Sequence, residues 1–374
     1  MDSKETTLTP LDHIPADIVC ASDYEQLAPS FIAADRFAYI AGGSEHDVTL
    51  HKNREVFADF SLVPRLFHDV SSGNTQLNLL GKTLTHPVLL APVAYQALVH
   101  SEAEIATAYA AESTDTCMVV STLSSATLER VAKRAGQERW FQLYFQARDE
   151  DTFALVHRAA QAGYRAIVVT LDAAVQTPSI RAMRAGFRLP NDILPANLIH
   201  QQASEPAAMP AGQNHIFQCY AQHTLTRQQL KKLIEVSPLP VLVKGVLDAG
   251  DAGELKALGV AGIVVSNHGG RTIDCVPASL AMLPAIRQEV GNEYPLLLDS
   301  GVRSGADIFK AIALGADAVL IGRLQVYALA VAGALGVAHM LKLLRQELEL
   351  CMATTGCVSI EDIKATKLHR QLEV

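Results

Sequence analysis

The 374-residue chain is poor in several features, and each absence narrows its class. Its six cysteines, Cys20, Cys117, Cys219, Cys275, Cys351 and Cys357, contain no Cys-x-x-Cys pair. That removes the spacing signal of a zinc site or a redox dithiol, so reduced thiols are expected, with no disulfide framework and no metal. No run reaches the roughly 18 apolar residues that a membrane-crossing helix needs. The opening residues, Met1-Asp2-Ser3-Lys4-Glu5-Thr6-Thr7, lack the apolar centre of a secretory signal, so a cytoplasmic protein is expected. No Gly-x-Gly-x-x-Gly follows the first strand-like run, which argues against a Rossmann dinucleotide fold. Positive charge is also scarce. With 31 Lys and Arg against 39 Asp and Glu, the net charge is −8 and the pI is near 5.9. Such a surface repels phosphate backbones and anionic bilayers, so neither nucleic acid nor membrane is expected as a partner. Any anionic ligand must be held by local cations.

What the chain does have is core material, 49% hydrophobic against 19% charged. From residue 86 onward, short apolar runs alternate with segments of helical period. The runs are His86–Ala94, Cys117–Thr122, Arg139–Phe145, Ala166–Asp172, Pro240–Val246, Gly262–Gly269, Pro295–Gly301 and Ala318–Arg323. Near-continuous apolar runs belong to strands covered on both faces, as in parallel sheets. Helical segments lie between them, including Leu128–Ala132, Phe153–Gln161, Leu230–Val236, Leu280–Val290 and Ile308–Leu314. Ser101 and Glu104 read as a capping box before another, and Pro284 fits only the first turn of its helix.

Eight strand–helix units predict an α/β fold, a closed (β/α)8 TIM barrel, in a single domain. Residues 1–85 are expected to form an N-terminal helical cap, with one or two helices over Tyr24–Ala41, and residues 86–354 the barrel. Residues 173–224, rich in Pro, Asn, Gln and Ala, are expected to form a long lid loop after strand 4.

Polar and special residues gather at the carboxyl ends of the strands. In order they are Pro92-Val93-Ala94, Ser121, Gln142 with Tyr144, Thr170 with Asp172, Lys244, Ser266-Asn267-His268, Asp299 through Arg303, and Gly322-Arg323. In a barrel these ends converge on one face, the usual place for an active site. Glycines and two guanidinium forks after the last two strands suit a phosphate, with surface ion pairs as the plainer reading. His268, among glycines and three residues before Arg271, is the candidate general base. Asp172 either orients that ring or caps a helix. Lys244, in an apolar run, needs an anionic partner or reaches out to the barrel mouth.

These residues resemble the FMN-dependent 2-hydroxy-acid oxidase and dehydrogenase family over about Tyr24–Asp362. The most specific stretch is Ser266-Asn267-His268-Gly269-Gly270-Arg271, joined by Asp299-Ser300-Gly301-Val302-Arg303, Gly322-Arg323, Trp140 through Tyr144, Ala91 through Ala94 and Tyr39 through Gly43. The resemblance implies oxidation of a small L-2-hydroxy acid to the 2-oxo acid, with FMN as cofactor. His268 takes the substrate proton, supported by Asp172. Arg271 and Tyr39 hold the carboxylate, and Tyr144 bonds the substrate hydroxyl or carbonyl oxygen. Pro92, Val93, Ala94, Ser121, Gln142, Thr170, Lys244 and Ser266 face the flavin ring and ribityl chain. Asp299, Ser300, Gly301, Val302, Arg303, Gly322 and Arg323 bind its phosphate end. Members commonly form tetramers, so a homotetramer is implied.

Three positions depart from the family pattern. Seven residues after Asp172, where many members carry a substrate-binding arginine, stands Ser179, and Arg181 or Arg184 is the candidate replacement. Leu123 replaces a tryptophan above the flavin, and with Tyr95 it implies a pocket for a lactate-like or larger apolar side chain. Leu324 replaces a proline after Arg323. Ala94 matches members that pass electrons to O2, giving hydrogen peroxide. The alternatives are a dehydrogenase with another acceptor, a flavin-binding barrel that has lost catalysis, and an isopentenyl diphosphate isomerase or inosine monophosphate dehydrogenase sharing the phosphate site.

Overall fold

A computed structural model describes residues 7–199 and 225–371. Eight parallel strands close into a barrel: β1 (Val88–Leu90), β2 (Cys117–Ser121), β3 (Arg139–Leu143), β4 (Ile167–Thr170), β5 (Val241–Val246), β6 (Gly262–Val265), β7 (Leu296–Asp299) and β8 (Ala318–Ile321). Closure is direct, with Val319 of β8 opposite Val88 of β1. Nearly every strand residue is buried because side chains that miss the interior meet the outer ring of helices. Each strand lies inside one of the apolar runs.

The crossover helices obey local rules at most of their ends. Thr226 with Gln229 caps Arg227–Val236, and Ser304 with Asp307 caps Gly305–Ala313, both as capping boxes. Two local expectations fail. Ser101 does not cap the helix Ala103–Ser113, and the Glu104 carboxylate instead accepts from the backbone of Gln96 and Ser125, tying together the loops after β1 and β2. Pro284 lies inside the helix Ser279–Val290 rather than in its first turn. Burial of Leu280, Leu283 and Ile286 on both sides of it outweighs one missing backbone hydrogen bond. The long helix Arg323–Thr355 is apolar enough to cross a membrane by length and composition, but 78% of its most apolar 18-residue stretch is buried within the fold, and the short helix Ile360–Ala365 follows it. The long helix breaks its helical path at Ala332 and Gly333.

Before the barrel come the helices Asp23–Leu27, Ala34–Ala41 and Val48–Glu55, with short 3-10 turns. The leading segment is not purely helical. Leu77–Leu79 and Lys82–Leu84 form a hairpin just before β1, and Phe60–Ser61 pairs with His369–Arg370 near the other end of the chain. Strands of two or three residues are too short to show alternation. Of the expected lid, residues 173–199 are described and include the helix Ile180–Arg184; residues 200–224 lie outside the described residues. Among the described residues five cysteines are free thiols, Cys117 and Cys357 buried and Cys275 exposed. Cys219 lies outside the described residues.

Candidate active site

The carboxyl ends of the strands open on one cavity. The chain after β6 makes a tight left-handed turn in which His268 (φ 59), Gly269 (φ 64) and Gly270 (φ 73) all have positive φ. For a histidine that conformation is strained by about 1–3 kcal/mol. It persists because the turn is held from both sides. The backbone N–H of His268 donates to Ser266 Oγ (2.9 Å), and that of Gly269 to Ser300 Oγ (2.9 Å). The result turns the imidazole so that Nδ1 lies 3.0 Å from Asp172 Oδ1. Asp172 therefore orients the ring rather than capping a helix. Gly245 makes room for it: a Cβ there would lie 2.6 Å from the Asp172 carboxyl carbon, and its φ of +103 disfavours any side chain.

A second charged pair lies deeper. Lys244 Nζ is 2.9 Å from both Ser266 Oγ and Asp299 Oδ2, and Ser266 Oγ donates to Asp299 at 2.6 Å. The buried ammonium thus has an internal anionic partner. Burial favours neutral lysine, but the Asp299 and Asp172 charges win and hold Lys244 above its ordinary value. Burial likewise raises Asp299, and Lys244 with the Ser266 hydroxyl brings it below the carboxylate range. Tyr144 is pushed well up, first by burial and then by the Asp172 charge, so its phenol stays a neutral donor.

Arg271 lines the cavity beside Tyr39. One of its nitrogens, Nη1, donates to the carbonyls of Tyr39 (2.8 Å) and Gly42 (3.0 Å) at the end of the helix Ala34–Ala41. Among the described residues Nε and Nη2 have no hydrogen-bond partner. Tyr95 and Leu123 form adjacent walls, joined by a bond from Tyr95 N to the Leu123 carbonyl (3.1 Å). Pro92, Val93, Ala94 and Ser121 line the same cavity, as do Ser300, Gly301, Val302 and Gly322. Thr170 and Gln142 are buried toward the ends of β4 and β3 and are not among the residues that line it.

The phosphate-end arginines have internal partners. Arg303 forms a fork on Glu25, with Nε 2.8 Å from Oε2. Arg323 donates to the carbonyls of Ile40 (2.9 Å), Gly269 (2.9 Å) and Gly42 (2.7 Å). Burial, with Arg271 nearby, lowers Arg323 to about 10, which still leaves it charged at neutral pH. Arg181 is not in the cavity. It pairs with the buried Asp47 (2.6 Å), whose other oxygen accepts from Gly43 N (2.6 Å). Arg184 does not line the cavity either. Ser179 caps the helix Ile180–Arg184 instead of reaching inward, so neither of the two candidate arginines takes the missing position.

Several positioning residues escaped sequence reading. Asn53 and Asn267 exchange amide bonds at 2.8 and 2.7 Å. The Asp274 carboxylate accepts from the backbone of His46, Val48 and Thr49 at the start of the helix Val48–Glu55. Ser44 N donates to Gly270 O (2.7 Å). Together these clamp the loop bearing His268 and Arg271 to the N-terminal segment. The partners are more than 200 positions apart, so no local pattern announces them. Gln176, at the cavity rim, was also missed. It falls four residues after Asp172, inside what reads as featureless loop.

With this geometry in view, the comparisons agree. The model of the family described as "FMN-dependent dehydrogenase" matches residues 28–370. An L-lactate oxidase of Alicycliphilus denitrificans is 55% identical over 356 residues, covering 95% of this chain and 98% of that one. Glycolate oxidase 3 of Oryza sativa is 39% identical over 354 residues, covering 92% and 95%. The crystal structure of a mandelate oxidase with (S)-2-phenylpropionate superposes with a TM-score of 0.86 at 35% identity, covering 95% of this chain and 99% of that one. The chain belongs to the FMN-dependent dehydrogenase family. It is an FMN-dependent oxidoreductase on a (β/α)8 barrel.

The residues fit FMN on their own terms. Gln142 accepts through Oε1 from Ser121 Oγ and Thr122 N, both at 3.2 Å. Its buried Nε2 has no acceptor among the described residues. A buried amide N–H without a partner is costly, and the carbonyl edge of a flavin would supply one. The Lys244 ammonium suits a ring that gathers negative charge on reduction.

Proposed function

We propose that this protein oxidises a small L-2-hydroxy acid, with a lactate-like or larger apolar side chain, to the 2-oxo acid, and that O2 is reduced to hydrogen peroxide. The observation that carries the reading is the hydrogen-bonded His268–Asp172 pair opening on the same cavity as Arg271, Tyr39 and Tyr144.

Substrate oxidation removes two electrons and two protons, and O2 takes up the same number to give H2O2. Bound FMN supplies the two-electron acceptor between the two halves. The chain does the rest. Asp172 fixes the Nδ1–H tautomer, leaving Nε2 of His268 to take the hydroxyl proton, and its charge stabilises the imidazolium formed. Tyr144 donates to the substrate oxygen. The partnerless Nε and Nη2 of Arg271, with the Tyr39 hydroxyl, hold the carboxylate. Lys244 would offset the negative charge that a bound flavin gathers on reduction, a contact of the kind typically worth about 3 kcal/mol of barrier. Ala94 supports O2 as acceptor. Tyr95 and Leu123 support an apolar side chain.

The substrate test is an anaerobic titration of the yellow protein with glycolate, L-lactate, longer aliphatic acids and L-mandelate, followed by readmission of O2. Bleaching fastest with an acid bearing an apolar side chain, then reoxidation with stoichiometric peroxide, is expected. Fastest bleaching by glycolate would remove the pocket argument, and reoxidation only by an artificial acceptor would make the protein a dehydrogenase. No bleaching by any acid would favour a flavin-binding barrel without turnover, a reading that Ser179 and the changed pocket support.

The same reading makes the protein a cytoplasmic homotetramer. Support comes from the family resemblance, from the free thiols, and from Leu66 and Phe67, which are 75% and 102% exposed. Light scattering on the purified protein tests the subunit count, and a monomer would refute it.

A further inference from the structure

Phe187 lies outside the cavity, yet it stacks on one of the cavity's walls. Its ring is 4.2 Å from that of Tyr39, centre to centre, and inclined by only 10°. The guanidinium carbon of Arg271 sits 4.8 Å from the centre of the same Tyr39 ring. Two groups so close to one centre cannot share a face, so Tyr39 is sandwiched between Phe187 and Arg271.

Local chemistry delivers Phe187 to this place. The helix Ile180–Arg184 ends in a Schellman turn: Phe187 N donates to Ala182 O (3.0 Å) and Gly186 N to Met183 O (3.0 Å). Gly186 takes the required positive φ of 70. The helix itself is moored at three points. Glu45 N donates to Pro178 O (2.9 Å), Thr177 N to Thr272 O (2.7 Å), and Arg181 pairs with Asp47 (2.6 Å). Thr272 directly follows Arg271, so the mooring and the stack converge on one residue.

We propose that Phe187 is a positioning residue for substrate binding: it backs Tyr39, and through that ring fixes the Arg271 guanidinium on the substrate carboxylate. With serine at position 179, the described part of the segment after β4 sends no arginine into the pocket. It contributes through the stack instead. Because Nη1 is taken by backbone carbonyls, only the other nitrogens of Arg271 are free to bind, and their aim depends on how the plane of the guanidinium lies on Tyr39. The inference rests on Arg271 and Tyr39 being the carboxylate site.

The test compares the FMN-loaded wild type with Phe187→Leu, Phe187→Tyr and Arg271→Met. It measures KM and kcat for L-lactate and, separately, oxalate affinity by calorimetry. Phe187→Leu is expected to raise KM and the oxalate Kd about tenfold, the scale of one aromatic pair, with kcat within about twofold. Phe187→Tyr, which keeps the ring, is expected to restore both. An unchanged KM and Kd in Phe187→Leu overturns the proposal. So does a Phe187→Tyr as impaired as Phe187→Leu, or a Phe187→Leu whose loss falls in kcat and melting temperature alone. If Arg271→Met binds oxalate as well as wild type, the carboxylate assignment itself fails. If only the Phe187 variants are silent, that assignment stands and the stack does not matter.

Discussion

The two ends of the cavity are built differently. At the end served by β4, β5 and β6, with Asp299 reaching in from β7, the polar groups satisfy each other in one connected set: Asp172 with His268, and Lys244 with Ser266 and Asp299. All five come from strand ends or from the turn just after one. At the end served by β7 and β8, the arginines answer to the N-terminal segment. Arg303 forks onto Glu25, and Arg323 gathers carbonyls around Ile40 and Gly42. At the first end the charged groups bond to one another within the barrel and the N-terminal segment only clamps the His268 turn from outside, whereas at the second the arginines themselves bond to the first helices of the chain. The chemical end should tolerate no isosteric change, whereas changes at the phosphate end should appear as altered cofactor retention.

The largest effect that sharpens this contrast is at Lys244. Lys244→Met should slow anaerobic flavin reduction about 100-fold or more while leaving bound FMN detectable, read by stopped-flow absorbance. It also leaves Asp299 buried without its charge partner, so a lowered melting temperature should accompany the loss. A variant that loses FMN outright but reduces normally when reloaded would erase the distinction between the two ends.

Next comes Arg303. Arg303→Ala should weaken FMN about ten- to a hundredfold, the value of one or two charge-assisted bonds (about 1.5–3 kcal/mol), with reduction of the reloaded protein little altered. Fluorescence of released flavin measures it. Unchanged retention would mean that Arg303 serves Glu25 alone.

The smallest effect is in pH. Burial by itself raises the Glu25 carboxyl, but Arg303 hydrogen-bonded to it, with Arg54 and Arg323 beyond, brings it below its ordinary value of 4.5. A carboxyl held lower in the folded state stabilises fully above the unfolded value and loses that contribution as pH falls through the folded one. The melting temperature of wild type should therefore fall below pH 4.5 somewhat more steeply than that of Glu25→Gln. Parallel curves would show that the pair contributes nothing measurable, as many part-exposed pairs do.

The barrel was legible because each of its strands is a short, doubly buried apolar run, a pattern local enough to see in one dimension. His268 and Arg271 were legible because a single hexapeptide holds both. Less visible was whatever depends on partners far apart in sequence, such as the Asn53–Asn267 amide exchange, the cap that Asp274 places on the helix Val48–Glu55, and Glu25 beneath Arg303. Arg181 shows the same limit in reverse. Its spacing from Asp172 suggested the pocket, but the buried Asp47 holds it elsewhere. Glu104 looked like half of a local capping box, yet two loops compete for its carboxylate and win.

One measurement bears on the centre of the account. His268→Gln, loaded with FMN and mixed anaerobically with the best 2-hydroxy acid in a stopped-flow instrument, should stay yellow, bind the acid, and bleach about 100- to 10,000-fold more slowly than wild type, the usual span for a removed general base. Bleaching at the wild-type rate would show that the proton leaves by another route and that the His268–Asp172 pair is not the base.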